Sequence, residues 1–444
     1  MNYKTIVGLE THVELSTEQK MFCGCYASHF NVSPNTNVCP VCLGLPGALP
    51  VPNYQAIKWT ILIGMALNCK INTSSFFERK HYFYPDLPKG YQISQYQKPL
   101  CENGFLMINN HKIRINRVHL EEDTGKLLHG EQFNEQASFV DFNRSGVPLV
   151  EIVTEPDIDS PEQASAYLKT LQLIIQYLKA SDCDMEKGSM RCEPNISVVP
   201  LEKWHKSKQL PNYKVEVKNI NSFKFVKQAI EYERERQIMI LQKQQVPKQE
   251  TRRYVESTKT TQSMRTKEVA QDYRYFPEPD IPPLQFSASD IKALETEFKN
   301  LPNPKKRLID LETKHKLSLE QARQLTENQA LGDRYLQLVK LEPGLDKIRV
   351  ANLLINKKVD LNLTNLALIK KLKEKLSTQT LDSSLVGKTI SQVLDDNQKA
   401  VTDYHSGKNT AMQFLLGQCL KVLGRQVEVE KIRKELSKQL IAKQ

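Results

Sequence analysis

Apolar and polar residues alternate in the stretch GLETHVEL, residues 8–15. With the period of two that a β-strand imposes, the apolar residues share one face, and Glu10, His12 and Glu14 share the other. Taken alone, the octapeptide fits a strand whose polar face meets solvent. Two carboxylates and an imidazole on one face are also groups that can hold a metal ion, so both interpretations stay open at this point.

The first part of the chain mixes strand patterns with helical patterns. The alternating runs are at residues 4–15, 112–120, 138–142, 149–154 and 213–218. The three helical segments are at residues 52–68, 161–179 and 222–244. Strands and helices do not alternate regularly, and no repeat is present. The pattern therefore predicts an α+β fold rather than a wound parallel sheet.

A proline-rich segment, FPEPDIPPL at residues 276–284, predicts the end of this first part. Neither a helix nor a central strand accepts four prolines in nine residues. Beyond it the chain is rich in Leu, Lys and Gln at helical spacing. We therefore predict a β-rich domain over residues 1–290, a helical domain over 291–393 and a small helical tail over 394–444.

The chain has 444 residues, of which 40% are apolar and 25% are charged, as in a globular protein of more than one domain. No apolar run approaches the roughly 20 residues of a membrane helix, and no secretory signal is visible, so a cytoplasmic location is expected. The net charge is +11, and the residues after 296 contain 27 Lys and Arg against 17 Asp and Glu. This basic C-terminal third predicts a polyanionic partner, most commonly nucleic acid.

Four of the nine cysteines form two closely spaced pairs, Cys23 with Cys25 and Cys39 with Cys42. Two such pairs on tight turns can supply four thiolates to one tetrahedral Zn²⁺. Incidental cysteines are the alternative, but paired spacing in a chain without a secretory signal favours metal ligands. Four sulfurs leave no open position for chemistry, so the sequence predicts a structural zinc ion.

A second acidic cluster, Glu121, Glu122 and Asp123, follows the alternating run HKIRINRVHL. Successive carboxylates repel one another, and a hard cation such as Mg²⁺, which is often shared with phosphate, relieves that repulsion. An acidic turn in water is the alternative for this stretch alone. The polar face of the first strand strengthens the metal interpretation, and Glu193 and Glu216 are further acidic candidates.

Two segments combine basic and aromatic residues, namely residues 76–96 and 264–280. The cations that we single out among their tyrosines are Arg79, Lys80, Lys89 and Arg274. Such cations neutralise phosphate while aromatic rings stack on bases, although a Tyr-rich loop packed on the core is an equal alternative. No P-loop, GxSxG elbow or glutaminase cysteine elbow is present, so any use of ATP relies on a scaffold without a Walker loop.

Together these stretches resemble the GatB family, the B subunits of aspartyl/glutamyl-tRNA(Asn/Gln) amidotransferases. The resemblance extends almost continuously over residues 5–284 and is carried by GLETHVEL, NTNVCPVCLGLPGALP, RKHYFYPDLPKGYQISQ, HLEEDTGK, DFNRSGVPLVEIVTEPD, GSMRCEPNIS, VEVKNINSF and MRTKEVAQDYRYFPEPD. It implies a β-rich cradle, a helical domain and a helical tail that grips tRNA. It also implies that ATP and Mg²⁺ are used to phosphorylate the side-chain carboxylate of Glu on tRNA(Gln) or Asp on tRNA(Asn). A glutaminase A subunit would supply ammonia, and a small C subunit would complete a heterotrimer.

The resemblance implies roles for individual residues as well. The implied magnesium ligands are Glu10, His12 and Glu122. The implied cations on the phosphate side of ATP are Arg79, Lys80, Lys89 and Arg274. The wider catalytic set is Glu10, His12, Glu121, Glu122, Glu193 and Glu216, and the zinc ligands are Cys23, Cys25, Cys39 and Cys42.

Two positions depart from the family pattern: His81 stands in place of Asn, and Glu193 stands in place of the shorter Asp. Two other functions compete with the amidotransferase interpretation, namely a zinc-stabilised tRNA-binding protein without chemistry and a stand-alone ATP-dependent ligase. The acids at residues 10, 121 and 122 argue against the first, because a pure RNA-binding protein has no use for carboxylates that face its polyanion. The missing ammonia-producing motif argues against the second.

Overall fold

A computed structural model describes residues 2–132, 135–266, 273–376, 383–423 and 429–442. Residues 267–272 of the second basic and aromatic segment lie outside the described residues. The chain forms two compact units, Met1–Pro304 and Lys305–Gln444. The three-domain division drawn from the sequence stays a prediction.

The strands of the described ranges all belong to the first unit. They are β1 Tyr3–Glu14, β2 Lys70–Ile71, β3 Ser74–Ser75, β4 Glu78–His81, β5 Tyr91–Ser94, β6 Cys101–Ile108, β7 His111–Glu122, β8 Lys126–Gln132, β9 Glu135–Asp141, β10 Pro148–Thr154, β11 Met190–Pro200, β12 Val215–Lys218, β13 Glu250–Val255, β14 Thr260–Thr266, β15 Phe276–Pro277 and β16 Leu284–Gln285.

The helices occur in both units. In the first they are α1 Tyr54–Ala66, α2 Pro161–Tyr177, α3 Leu201–Ser207, α4 Phe223–Gln242 and α5 Ala288–Asn300. In the second they are α6 Pro304–Thr313, α7 Leu319–Glu327, α8 Gln329–Leu341, α9 Lys347–Ile355, α10 Asn365–Leu376, α11 Ser383–Asp396, α12 Gln398–His405, α13 Asn409–Leu423 and α14 Val429–Ala442.

Nine strands form one large sheet in the order β14-β13-β12-β11-β1-β10-β7-β6-β2. β1 lies inside this sheet and runs antiparallel to both β10 and β11, so the GLETHVEL strand is central. The register places His12 opposite Glu151 and Glu10 opposite Glu193. Strand pairing therefore brings polar residues of distant segments onto the polar face of β1.

The apolar face of the sheet is covered by helices. Leu9 and Val13 of β1 are buried in one core that also contains residues of α1, α2 and α4. These helices confirm the three helical segments predicted in this unit, with ends within two residues. The predicted start of α2 is also correct, because Ser160 Oγ accepts a hydrogen bond from the Gln163 amide and Pro161 is the first helical residue. The α+β class is confirmed.

The proline-rich segment pairs back onto the first unit. β15 lies beside β4, β16 lies beside β3, and α5 packs against α1. Strands of two residues accept these prolines because they need few ladder hydrogen bonds. The segment therefore contributes to the fold of the first unit.

The second unit is helical in its described ranges, as the sequence predicts. It contains two apolar cores, one within α6–α10 around Leu325, Tyr335 and Leu354, and one within α11–α14. Leu394, the first residue of the predicted tail, is fully buried in the second core and lies within α11. No described helix combines the length and apolar character that a membrane span requires.

Candidate active site and metal centres

Charged side chains from five neighbouring strands lie on one face of the large sheet. Strand alternation puts them there, because Glu10 and His12 point away from the apolar core that Leu9 and Val13 enter. We call this set the charged stripe. It comprises Glu10, His12, His119, Glu121, Glu151, Glu193, Glu216 and Lys218.

His12, Glu121 and Glu151 form the first group within the charged stripe. Their ligand atoms lie within 4.8 Å of one another, and His12 Nε2 is 3.6 Å from Glu121 Oε1 and 3.7 Å from Glu151 Oε2. His119 Nε2 lies 3.0 Å from Glu151 Oε2, so a second imidazole contacts the same group. Glu121 is only 2% exposed and Glu151 only 6%. One imidazole nitrogen and two carboxylates at this spacing can ligate a divalent cation.

Two buried carboxylates side by side require positive neighbours. Burial by itself raises the pKa of Glu121, but its contact with His119 at 3.8 Å and the charge of Lys80 lower this pKa overall. Burial acts the same way on Glu151, but its contacts with His119 at 3.0 Å and His12 at 3.7 Å bring its pKa well below the ordinary value. Burial lowers the pKa of Lys80, yet the two glutamates raise it overall. The group therefore keeps its carboxylates ionised and Lys80 protonated at neutral pH.

Glu10, Glu193 and Glu216 form the second group, again with ligand atoms within 4.8 Å of one another. Lys218 Nζ donates to Glu193 at 2.6 Å and lies 3.0 Å from Glu216 Oε1. Asn195 donates to Glu10 at 2.9 Å. Burial first, and then the neighbouring carboxylates, raise the pKa of Glu10. Lys218 in contact and the charge of Lys214 do not balance three acids, so a further cation here would relieve their repulsion.

A cavity of about 1220 Å³ opens beside the charged stripe. It is lined by Lys80, whose charge acts on the first group, and by Lys218, which contacts the second. Much of the remaining wall comes from the two basic and aromatic segments, namely His81, Tyr82, Phe83, Tyr84, Tyr273, Arg274 and Phe276. Phe83 is 88% exposed and Tyr84 is 59% exposed, so their rings are accessible to a planar ligand.

Glu122 lies apart from both groups. It follows Glu121 in β7, so strand alternation turns it to the opposite face of the sheet. There Lys89 Nζ lies 2.5 Å from its Oε1, and both residues line a separate cavity of about 210 Å³. The set implied for magnesium is therefore not gathered in one place, because strand pairing joins His12 to Glu151 rather than to Glu122.

Asp123, the third acid of the predicted cluster, belongs to a separate ion-pair network. Its carboxylate forms a close ion pair with Arg191, which also lies 3.6 Å from Glu14, and Arg144 lies 3.7 Å from Asp123. Burial raises the pKa of Asp123, but the charges of Arg191 and Arg144 lower it overall. These contacts satisfy Asp123 within the protein.

Arg79 and Arg274, implied as cations on the phosphate side, have different surroundings. Arg79 donates from Nε and Nη2 to Glu278 at 2.7 and 2.8 Å, and its guanidinium lies 4.4 Å from the centre of the Tyr91 ring. Arg274 lines the large cavity and has a left-handed backbone with φ of 44°. Its carbonyl accepts a hydrogen bond from His81 Nδ1 at 3.1 Å. Arg274 therefore borders the cavity, whereas Arg79 is held by a buried acid.

The four predicted zinc ligands come together. The sulfur atoms of Cys23, Cys25, Cys39 and Cys42 lie within 4.8 Å of one another. The Cys39 amide donates to Cys42 Sγ at 3.1 Å, and a hydrogen bond from Cys23 is the largest of the effects that lower the pKa of Cys42 to about 4. Four sulfurs at this spacing fit a tetrahedral ion with Zn–S distances of about 2.3 Å. The zinc itself stays a prediction.

The loop between the two cysteine pairs, residues 26–38, is hydrogen-bonded to the loop at residues 141–147. Asn143 Oδ1 accepts a hydrogen bond from the Asn37 amide at 2.8 Å, and its Nδ2 donates to the Ser33 carbonyl at 2.7 Å. The loop at 141–147 leads directly into β10, the strand that carries Glu151. The cysteine cluster is therefore connected to the charged stripe through the backbone.

The sequence reasoning missed Glu151, His119 and Lys218. Glu151 is a single acid in the apolar strand PLVEIVT. His119 stands two residues before Glu121, and Lys218 stands two residues after Glu216. An acid inside an apolar strand, and the period of two counted from a residue already selected, are the signals that indicate all three.

Comparison with known proteins gives two matches that together cover nearly the whole chain. The GatB/GatE catalytic domain matches residues 5–292, and the GatB domain matches residues 292–440. A relative from Thermodesulfovibrio yellowstonii is 49% identical over 360 residues, which are 80% of this chain and 73% of the relative. One from Thermosipho melanesiensis is 53% identical over 307 residues, 69% of this chain and 63% of the relative. One from Thermotoga maritima is 48% identical over 347 residues, 77% of this chain and 70% of the relative.

All three relatives are named as the B subunit of an aspartyl/glutamyl-tRNA(Asn/Gln) amidotransferase. The catalytic-domain match spans the charged stripe, the cysteine cluster and both basic and aromatic segments. Identity near one half over most of the chain, with both domains matched in order, confirms the resemblance seen in the sequence. The chain therefore belongs to the GatB family of amidotransferase B subunits.

Proposed function

We propose that this chain activates and amidates the amino acid carried by a misacylated tRNA. The name of its relatives supports Glu-tRNA(Gln), Asp-tRNA(Asn) or both as substrates, and their description as one subunit of an enzyme supports action within a complex. The proposed partners are an A subunit that releases ammonia from glutamine and a small C subunit. ATP is the proposed source of activation.

One observation carries the proposal: two groups of carboxylates lie beside two lysines at the wall of a large cavity. A protein that only binds tRNA gains nothing from carboxylates next to a polyanion. Phosphoryl transfer, in contrast, uses carboxylates to hold divalent cations and uses lysines to neutralise phosphate. The arrangement therefore favours chemistry over binding alone.

The proposed reaction has two steps. In the first, a side-chain carboxylate oxygen of the tRNA-bound amino acid attacks the γ-phosphorus of ATP, and the bond to ADP breaks. In the second, ammonia attacks the carbonyl carbon of the acyl phosphate, phosphate leaves, and one proton is lost to give the amide. The first step brings anions together, so fixed positive charge lowers its barrier most.

The residues that would hold Mg²⁺ are His12, Glu121 and Glu151, with a second set in Glu10, Glu193 and Glu216. When bound, the ion supplies positive charge that the phosphate oxygens of ATP share. His119 Nε2 lies 3.0 Å from Glu151 Oε2, close enough to orient a carboxylate of the first set. Glu151 thus replaces Glu122 in the ligand set that we propose.

Lys80 and Lys218 supply fixed positive charge at the cavity wall. Burial lowers the pKa of Lys218, but Glu193 and Glu216 raise it overall, and Lys80 is affected in the same way by its own neighbours. Both side chains therefore stay protonated in the site. Each ammonium has three donors, so it can contact a glutamate and a phosphate oxygen together.

The aromatic wall of the cavity suits the acceptor end of a tRNA, whose unpaired bases stack on exposed rings. Phe83 and Tyr84 are the most exposed of these rings. We further propose that basic residues of the second unit, such as the exposed Lys370 and Lys371 of α10, contact tRNA phosphates.

We also propose that the four cysteines bind one structural zinc ion. Metal analysis of the purified protein should find about one zinc per chain. Cys39→Ser should lower both the zinc content and the melting temperature, because the cysteine loop anchors the loop at residues 141–147. Metal-free protein with all four thiols intact and unchanged melting would contradict this site.

The test of the reaction compares two adjacent residues of β7 in the reconstituted complex with misacylated tRNA. Glu121→Gln removes a charge from the first group, and Glu122→Gln makes the same change on the opposite face. We expect Glu121→Gln to lower tRNA-dependent ATP cleavage and amide formation more than about 100-fold, because even outer residues of metal sites typically contribute 10- to 100-fold. Glutamine hydrolysis by the partner should stay measurable.

Glu122→Gln should retain most of the activity and instead lower stability, because it leaves Lys89 without its buried partner. Full activity of Glu121→Gln, or an equal loss in both variants, would refute the proposed ligand set. A complex that binds misacylated tRNA but cleaves no ATP in response would identify a tRNA-binding protein without chemistry.

A further inference from the structure

Lys20 is a buried cation that contacts the cysteine cluster. It is 1% exposed, and its Nζ lies 2.7 Å from the Asn37 carbonyl, 3.3 Å from the Phe142 carbonyl and 3.6 Å from Cys42 Sγ. In the described part of the chain, no carboxylate is within ion-pair distance of this ammonium. Its partners among the described residues are two neutral carbonyls and one sulfur.

A buried charge is costly unless an opposite charge lies close to it. Two carbonyl oxygens satisfy two of the three ammonium protons but carry no net charge. Of these three contacts, Cys42 Sγ is the one that can be anionic, as a thiolate. The position of Lys20 is therefore most favourable when the cysteine cluster carries negative charge.

Four thiolates around one Zn²⁺ carry a net charge of −2. That charge is itself costly in a partly buried site, and Cys42 is the most buried of the four cysteines. An adjacent ammonium offsets part of this charge, because opposite charges at short distance attract each other. Lys20 and the cysteine cluster thus each compensate a charge that would be unfavourable alone.

We infer that Lys20 is the counter-cation of a tetrathiolate metal centre, where it strengthens zinc binding and lowers the electron-donating power of Cys42. The inference rests on the zinc site proposed above, and it goes beyond that site by assigning a residue outside the four ligands. The Lys20 ammonium also has a second, structural effect. The same group joins the carbonyls of Asn37 and Phe142, so it connects the metal centre to the loop that precedes β10.

The test uses the full-length chain with Lys20→Gln, which removes the charge but keeps a hydrogen-bond donor, and Lys20→Met, which removes both. Lys70→Gln serves as the control, because Lys70 is 69% exposed in its surface ion pair with Glu102. Zinc affinity is measured by competition with a chromophoric chelator. We expect both Lys20 variants to bind zinc about 10- to 100-fold more weakly than wild type and the Lys70 variant to be unchanged.

A second measurement separates charge from packing. Cobalt substituted for zinc gives a sulfur-to-metal charge-transfer band whose energy rises when a positive charge stabilises the sulfur electrons. Loss of Lys20 should therefore shift the band to lower energy, and this shift does not depend on how stable the variant is. If Lys20→Met fails to fold, zinc affinity and the cobalt band are both measured on Lys20→Gln.

Unchanged zinc affinity and an unchanged cobalt band in a folded Lys20 variant would overturn the inference and leave Lys20 as a structural donor to two carbonyls. A wild-type chain that takes up neither zinc nor cobalt would overturn the inference together with the metal site. Amide formation by the complex is assayed separately, so failure here is distinguishable from failure of the proposed reaction.

Discussion

Removal of the Arg79 guanidinium decides between two roles for this residue. The sequence resemblance implies a cation that contacts ATP phosphate. The structure instead shows a bidentate ion pair between Arg79 and Glu278, with hydrogen bonds of 2.7 and 2.8 Å. Glu278 is 3% exposed and lies in the segment that β15 ties to β4. The perturbation is Arg79→Met, which keeps much of the apolar stem and removes the charge.

The magnitude follows from the buried carboxylate that is left behind. Loss of one partner from a buried ion pair typically costs 3–5 kcal/mol, and the lower end applies because the Arg79 side chain is 21% exposed. We therefore expect a loss of about 3 kcal/mol in the free energy of unfolding. At about 2–4 °C per kcal/mol, the melting temperature should fall by roughly 6–12 °C.

The assay is thermal and denaturant unfolding of Arg79→Met, of Glu278→Met and of the double variant. The double variant should recover much of the lost stability, because no unpaired charge remains, and the coupling between the two sites should be favourable. Wild-type melting of Arg79→Met together with loss of tRNA-dependent ATP cleavage would refute this reasoning and establish Arg79 as a phosphate-binding cation.

Three further predictions follow from the site and from the second unit. His119→Gln should weaken Mn²⁺ binding to the charged stripe by about 10- to 100-fold, measured by titration of free Mn²⁺ by electron paramagnetic resonance, and unchanged affinity would exclude the proposed orienting role. The pKa of Asp123 is lower in the folded protein than in the unfolded chain, where it is about 3.9. Ionised Asp123 therefore stabilises the fold at pH values above about 3.9, and this stabilisation is lost as the pH falls further. Arg191→Met should therefore flatten the fall in melting temperature between about pH 5 and about pH 2, and an unchanged slope would contradict the pairing. Replacement of Lys370 and Lys371 by Gln should reduce the slope of log tRNA affinity against log salt by up to about 2, and an equal slope would show that these lysines meet only solvent.

The local sequence pattern was sufficient to predict those features that depend only on residues close together in the chain. The alternation in GLETHVEL correctly predicted a strand with one polar and one apolar face, because side chains in a strand alternate regardless of its partners. Helical patterns placed α1, α2 and α4 within two residues of their observed ends. The paired spacing of Cys23, Cys25, Cys39 and Cys42 identified residues that the structure does bring together.

The same local pattern could not identify which side chains meet across the sheet. Alternation alone turns Glu121 and Glu122 to opposite faces, but only the position of β7 in the sheet shows which of them shares the face of His12. The partner that completes the group, Glu151, comes from a strand more than a hundred residues away from β1. The central strand β11 was missed because Pro194 interrupts its pattern, although it supplies Glu193.

The sequence by itself therefore determined the α+β class, the two faces of β1, the cysteine pairs and the family. Tertiary structure alone decided the composition of the sites: that His12 joins Glu121 and Glu151, that Arg79 meets Glu278, and that Lys20 contacts Cys42. The physical reason is that period and capping act within a few residues, whereas strand register and ion pairing join residues far apart in the chain. Such long-range partners are selected by the burial and charge balance of the whole first unit.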